Sequence, residues 1–194
     1  MNKNRIEAFS DGVIAIIITV MVFDLKIPEL VAPFTDADAW KALQALVPKA
    51  GAYALSYIVL AIMWLNHHAL FDRLPHTTSK LVWYNAFLLF AMSLIPAPTA
   101  FLAAHPLLPQ AVMFYGLIMF LNGLGFYLLR WYVEAKAKLL PYNPFIQRSN
   151  LITTGLYLAS IPLAMVSVYL SFVIFLGIPI WYFLPDKFHA KQPS

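Results

Sequence analysis

The chain has 194 residues, 61% of them hydrophobic and 11% charged, with a formal net charge of +4 and a mean hydropathy of +0.73. Soluble domains carry about 25% charged residues, so the composition excludes a soluble globular protein and marks an integral membrane one. There is no cysteine, which rules out disulfides, thiolate catalysis and cysteine-based metal sites.

Residues 81–129 form a run of 49 without Asp, Glu, Lys or Arg, and residues 149–185 a second run of 37. Each holds two membrane spans at about 20 residues per span. Six spans of that length use about 120 residues, leaving no room for a separate soluble domain. The expected architecture is therefore all-α and polytopic, with six transmembrane helices in a single domain over residues 1–194.

The first span runs from Asn4 to Leu25 and stops before Pro28, which lacks an N–H and biases its predecessor away from helix. Lys3 and Arg5 precede it as in a signal peptide, but Glu7 and Asp11 interrupt the approach and no small-residue cleavage site follows Phe23. Residues 29–48 are polar and acidic, with Thr35-Asp36-Ala37-Asp38 as the cap of a short amphipathic helix. Span two covers Lys49 to Phe71. Span three covers Ser79 to Ile95 and is expected to end at Pro96-Ala97-Pro98. Span four covers Gln110 to Val133, extending as far as Lys138 before Pro141-Tyr142-Asn143-Pro144 breaks it. Span five covers Ser149 to Val168 with Pro162 inside it, and span six Leu170 to Leu184.

An even number of spans puts both termini on one face. That face holds Lys3, Arg5, Arg73, Lys80, Arg130, Lys136, Lys138, Arg148, Lys187 and Lys191, against Lys26, Lys41 and Lys49 on the other. Basic residues gather on the cytoplasmic side, so both termini are expected there, and the basic balance needs no nucleic-acid partner. Trp131, Tyr132, Trp181 and Tyr182 fall at span ends, where interfacial aromatics sit.

The first span carries the chemistry. A carboxylate at the centre of a membrane helix costs about 2.5–3.5 kcal/mol on insertion scales and usually faces protein or water. Asp11 lies about 10 Å into the helix at 1.5 Å per residue, so it needs a partner. At 100° per residue, Phe9, Gly12, Ile16, Thr19, Val20 and Phe23 share one stripe, and Asp11 falls nearly opposite. In a symmetric assembly that stripe lines a narrow axis. On a membrane helix such a stripe is also ordinary packing or lipid contact, and Thr19 can bond its own backbone.

Polar partners for Asp11 are available. Trp64, His67, His68 and Phe71 of span two share a helix face, span three has Asn85 and span four Asn122. A network of Arg5, Ser10 and Asp11 with these groups is the cheapest way to bury the acid. Adjacent His67 and His68 point about 100° apart and chelate one metal ion poorly. No HExxH spacing, Ser-His-Asp order or Gly-rich phosphate loop is present, so no metal, cofactor or enzyme activity is expected.

Arg5 through Asp11 reads R-x-x-x-F-S-D, followed by G-V-x-A-I. With Asp24-Leu25-Lys26-Ile27-Pro28, Trp64, His67-His68, Asn85 and the Leu94-Ile95-Pro96 exit, the whole chain resembles the prokaryotic branch of the transmembrane protein 175 family of potassium channels. The resemblance implies a homotetramer in a prokaryotic cell membrane, surrounded by lipid, that conducts potassium ions passively through a pore lined by helix one. It implies no T-V-G-Y-G filter, and this chain has none. Matched from the F-S-D motif, it places the constriction at Ile16 and a hydroxyl layer at Thr19, with Val20 and Phe23 further along. It makes Arg5, Phe9, Ser10, Asp11, Trp64, His67, His68 and Asn85 a structural network. Two other readings of the residues stay open: a proton-coupled secondary transporter using Asp11 and His67, and a non-conducting membrane assembly protein.

Overall fold

A computed structural model describes residues 2–30 and 32–183, which are helical apart from short connections. Helix α1 (Lys3–Val20) starts where the Asn2 side chain accepts the Asn4 N–H, and it tightens into a 3-10 turn over Met21–Asp24. An extended stretch leads to α2 (Asp36–Gln44). Thr35 and Asp38 close a reciprocal capping box there, satisfying two of the N–H groups that a helix start leaves unpaired. Next come α3 (Leu46–Asp72), α4 (Ser79–Ser93), α5 (Pro96–Ala104), α6 (Pro109–Trp131), α7 (Pro144–Val166) and α8 (Val168–Phe183). A π-helical turn over Tyr132–Lys136 continues α6.

Five helical segments are long and apolar enough to cross a membrane, and Val168–Tyr182 is a sixth, shorter apolar helix. The protein is therefore an integral membrane protein with several spanning helices.

Two boundaries depart from the sequence expectation. Helix α7 starts at Pro144, where Asn143 caps it, five residues before the expected Ser149. The Pro96-Ala97-Pro98 segment does not end the third span: residues 79–104 form one apolar segment with a change of helix at Leu94–Ile95. Pro96 and Pro98 occupy the first turn of α5, where backbone N–H groups have no intrahelical acceptor and a missing donor costs nothing. The Thr99 N–H and hydroxyl both donate to the Ile95 carbonyl, at 3.2 and 2.7 Å, and splice the two helices. By the same rule Pro48 sits inside the first turn of α3. The turn between the last two helices falls at Ser167, whose φ of −161° and ψ of 123° are extended.

Helix α6 packs against α4, α5, α7 and α8. Glycine permits its close packing on α7. A Cβ on Gly123 would lie 2.8 Å from Thr154 Oγ1 and 3.3 Å from Thr154 Cα on α7. Buried polar groups are paired across helices: Ser56 of α3 bonds Thr99 of α5 at 2.8 Å and Tyr115 of α6 at 3.1 Å. Helix α1 lies at the other side of this core, packed on α3 and α4.

Candidate pore helix and its polar anchor

Helix α1 has two unlike faces. Ile6, Ser10, Ile14, Ile17 and Met21 recur every three or four residues and are buried against α3 and α4. The opposite stripe is bare: Phe9 is 65% exposed, Ile16 63%, Val20 43% and Phe23 70%, and Gly12 and Thr19 are exposed with them. The Thr19 hydroxyl donates to its own helix, with Ala15 O at 3.1 Å and Ile16 O at 3.0 Å.

The buried face is held by a directional hydrogen-bond chain. Asn85 Nδ2 donates to Ser10 Oγ at 2.9 Å, and Ser10 Oγ donates to Ile6 O at 2.8 Å. Asn85 Oδ1 lies 2.8 Å from His67 Nε2. Because Oδ1 can only accept, His67 carries its proton on Nε2. All three donors then point the same way, from α3 through α4 to the backbone of α1, and each bond polarises the next. His67, Asn85 and Ser10 are buried, and His67 also stacks on Phe71 with ring centres 4.3 Å apart.

Asp11 and Glu7 lie at the edge of this face. Trp64 Nε1 donates to Asp11 Oδ1 at 2.9 Å. His68 Nδ1 is 3.2 Å from Glu7 Oε1, and its ring stacks on Trp64. The two adjacent histidines thus serve separate layers, one buried and one at the surface, as their 100° separation requires. Lys3 Nζ reaches Asp72 O at 2.7 Å and ties the start of α1 to the end of α3.

Several groups named from sequence do not join this cluster. Arg5 is exposed on the bare stripe and makes no side-chain hydrogen bond or ion pair with the described residues. Phe9 lies on the same stripe. Asn122 turns away from α1 and donates to Ala91 O and Ile118 O, bracing α6 against α4. Two features had gone unread: Glu7 as the partner of His68, and a buried ion pair of Arg130 with Glu134 at 2.7 Å. The i,i+4 spacing of Arg130 and Glu134 was a signal for the second. Among the described residues, no three His, Asp or Glu side chains gather as a metal site would.

A family profile described as endosomal/lysosomal potassium channel TMEM175 matches residues 5–96, the stretch that contains α1, α3 and α4. A potassium channel of Chamaesiphon minutus is 33% identical over 176 residues, covering 86% of each chain. The chain belongs to the TMEM175 family. A potassium channel of a Chryseobacterium strain is 38% identical over 129 residues, covering 66% of this chain. The chain spans just under two thirds, 64%, of that Chryseobacterium relative. Among solved structures, the crystal structure of a lysosomal potassium-selective channel TMEM175 homologue from Chamaesiphon minutus superposes with a TM-score of 0.81 at 30% identity. The superposition covers 93% of this chain and 95% of that one. The family profile therefore falls on the half of the protein that carries the bare stripe and its anchor.

Proposed function

We propose that this TMEM175-family protein is a passive potassium-selective channel, not an enzyme and without a cofactor. In this reading four copies, each a single domain of six spans, meet with α1 of each copy on a common axis. The observation that carries the reading is the spacing of the bare stripe. Arg5, Phe9, Gly12, Ile16, Thr19 and Phe23 follow one another at intervals of four and three residues, and all six are exposed on the subunit. That alternation is the seam along which parallel helices supercoil around a shared axis. Lipid contact exposes a helix face at the same spacing; the shared axis is favoured here because the stripe lies within the residues that match the TMEM175 profile.

On this axis Ile16 forms the constriction, an apolar ring that gates by dewetting. Thr19 follows, with Val20 and Phe23 toward the outer end. Since the Thr19 proton is donated to its own helix, the oxygen lone pairs remain available to a cation. Ser10, Asp11, Trp64, His67, His68 and Asn85 hold α1 to its own subunit and leave the stripe free. In this reading both termini lie in the cytoplasm of a prokaryotic cell; the excess of basic residues on their face supports that orientation.

The test is a planar-bilayer recording of the purified protein with potassium on one side and sodium on the other. The reversal potential is expected to lie near the potassium equilibrium value, and Thr19→Ala is expected to move it toward zero. Saturable uptake driven by a pH gradient would indicate a transporter instead, and absence of any flux an assembly protein.

A further inference from the structure

Helices α7 and α8 leave a groove of about 620 Å³ on their outer face, walled by Ile152, Leu156, Val173 and Ile174 and floored by Gly177. In the antiparallel packing of α7 and α8, Trp181 in the last turn of α8 lines the groove, and Arg148 lines it further toward the start of α7. From Arg148 to Leu156 the groove runs about 12 Å at 1.5 Å per residue, a depth that takes the upper part of a fatty-acyl chain. Arg148 is exposed and forms no hydrogen bond or ion pair with the described residues. It stands on the face where basic residues predominate, and an indole suited to the headgroup layer lines the same groove.

An apolar slot in the membrane ending at a guanidinium without an ion-pair partner among the described residues matches one kind of partner, an acyl chain joined to a negative headgroup. A zwitterionic lipid fills the slot and offers the same phosphate, but its own ammonium group competes with the guanidinium for that charge, so the net-anionic lipid is favoured. We propose that this groove binds an anionic phospholipid, with one acyl chain between α7 and α8 and its phosphate on Arg148. The site lies on helices that α1 does not pack against, and it stands independently of any pore.

The full chain, purified in detergent and titrated with phosphatidylglycerol or phosphatidylcholine, is read by native mass spectrometry. Wild type is expected to retain phosphatidylglycerol several-fold better than phosphatidylcholine. R148Q is expected to reduce phosphatidylglycerol retention to the phosphatidylcholine level, and R148K to restore the preference. A Cβ at position 177 meets nothing within 4 Å, so G177L starts its side chain into open space in the slot and is expected to lower retention of both lipids. R148Q that holds phosphatidylglycerol as wild type does, or G177L without effect on either lipid, overturns the proposal.

Discussion

Asn85 is the pivot of the buried chain, because its amide both accepts from His67 and donates to Ser10. Asn85→Leu keeps the volume but removes both functions, leaving the buried His67 Nε2–H without an acceptor. An unsatisfied buried group costs about 1–3 kcal/mol, so the variant is expected to unfold at a lower temperature in detergent. An unchanged melting midpoint would show that the chain contributes nothing to stability. Ile16 is the other informative residue. Ile16→Asn replaces an apolar ring with one that water wets, and liposomes carrying it are expected to leak potassium faster than wild type. Equal flux would remove residue 16 from the constriction. At this scale the sequence was partly legible. Helical geometry alone showed that His67 and His68 chelate one ion poorly, and it put Asp11 and Ile16 on different sides of α1; that the two histidines serve separate partners, Asn85 and Glu7, was not legible. The partner of Asp11 was not legible in detail, since the indole of Trp64 reaches it through the tertiary packing of α1 on α3.

Helix starts were legible at Thr35, whose capping box is local, and within a residue for α1 and α4, whereas α7 starts at Pro144 under an Asn143 cap, five residues before the expected Ser149. The end of α4 before Pro96 was legible, but the start of α5 at the same proline was not, because proline ends one helix and starts the next by the same missing N–H. Only the surrounding packing decides between the two, and here residues 79–104 stay in one apolar layer. The pairing of α6 with α7 was likewise hidden. Gly123 looks neutral in sequence, yet it faces Thr154 with no room for a side chain. Gly123→Leu forces the helices apart, and overpacking of this kind costs about 1–3 kcal/mol. Early loss of the purified variant to aggregation on size-exclusion chromatography is the expected result. A monodisperse profile with unchanged melting would mean the interface absorbs the side chain.

For the assembled molecule, a sequence without cysteine offers a clean experiment. A single Ile16→Cys substitution, treated with a short bifunctional thiol reagent in membranes, is expected to give cross-linked dimers if four α1 helices share an axis. Val173→Cys, on the outer face of α8, is expected to stay monomeric. Cross-linking at 173 and none at 16 would place the subunit contacts elsewhere. The class of molecule was readable from composition, and the spans from two long uncharged runs. The number of copies was not, because association depends on a surface that one chain leaves bare. The tether at Ser10 has a mechanical consequence. It fixes the second turn of α1 to its neighbours, and buried Met21 packs the 3-10 turn at the far end onto α3 and α5. Held near both ends, α1 would move together with the helices that carry it if the proposed pore widens, so single cysteines at residues 9, 16 and 23 are expected to gain reactivity together.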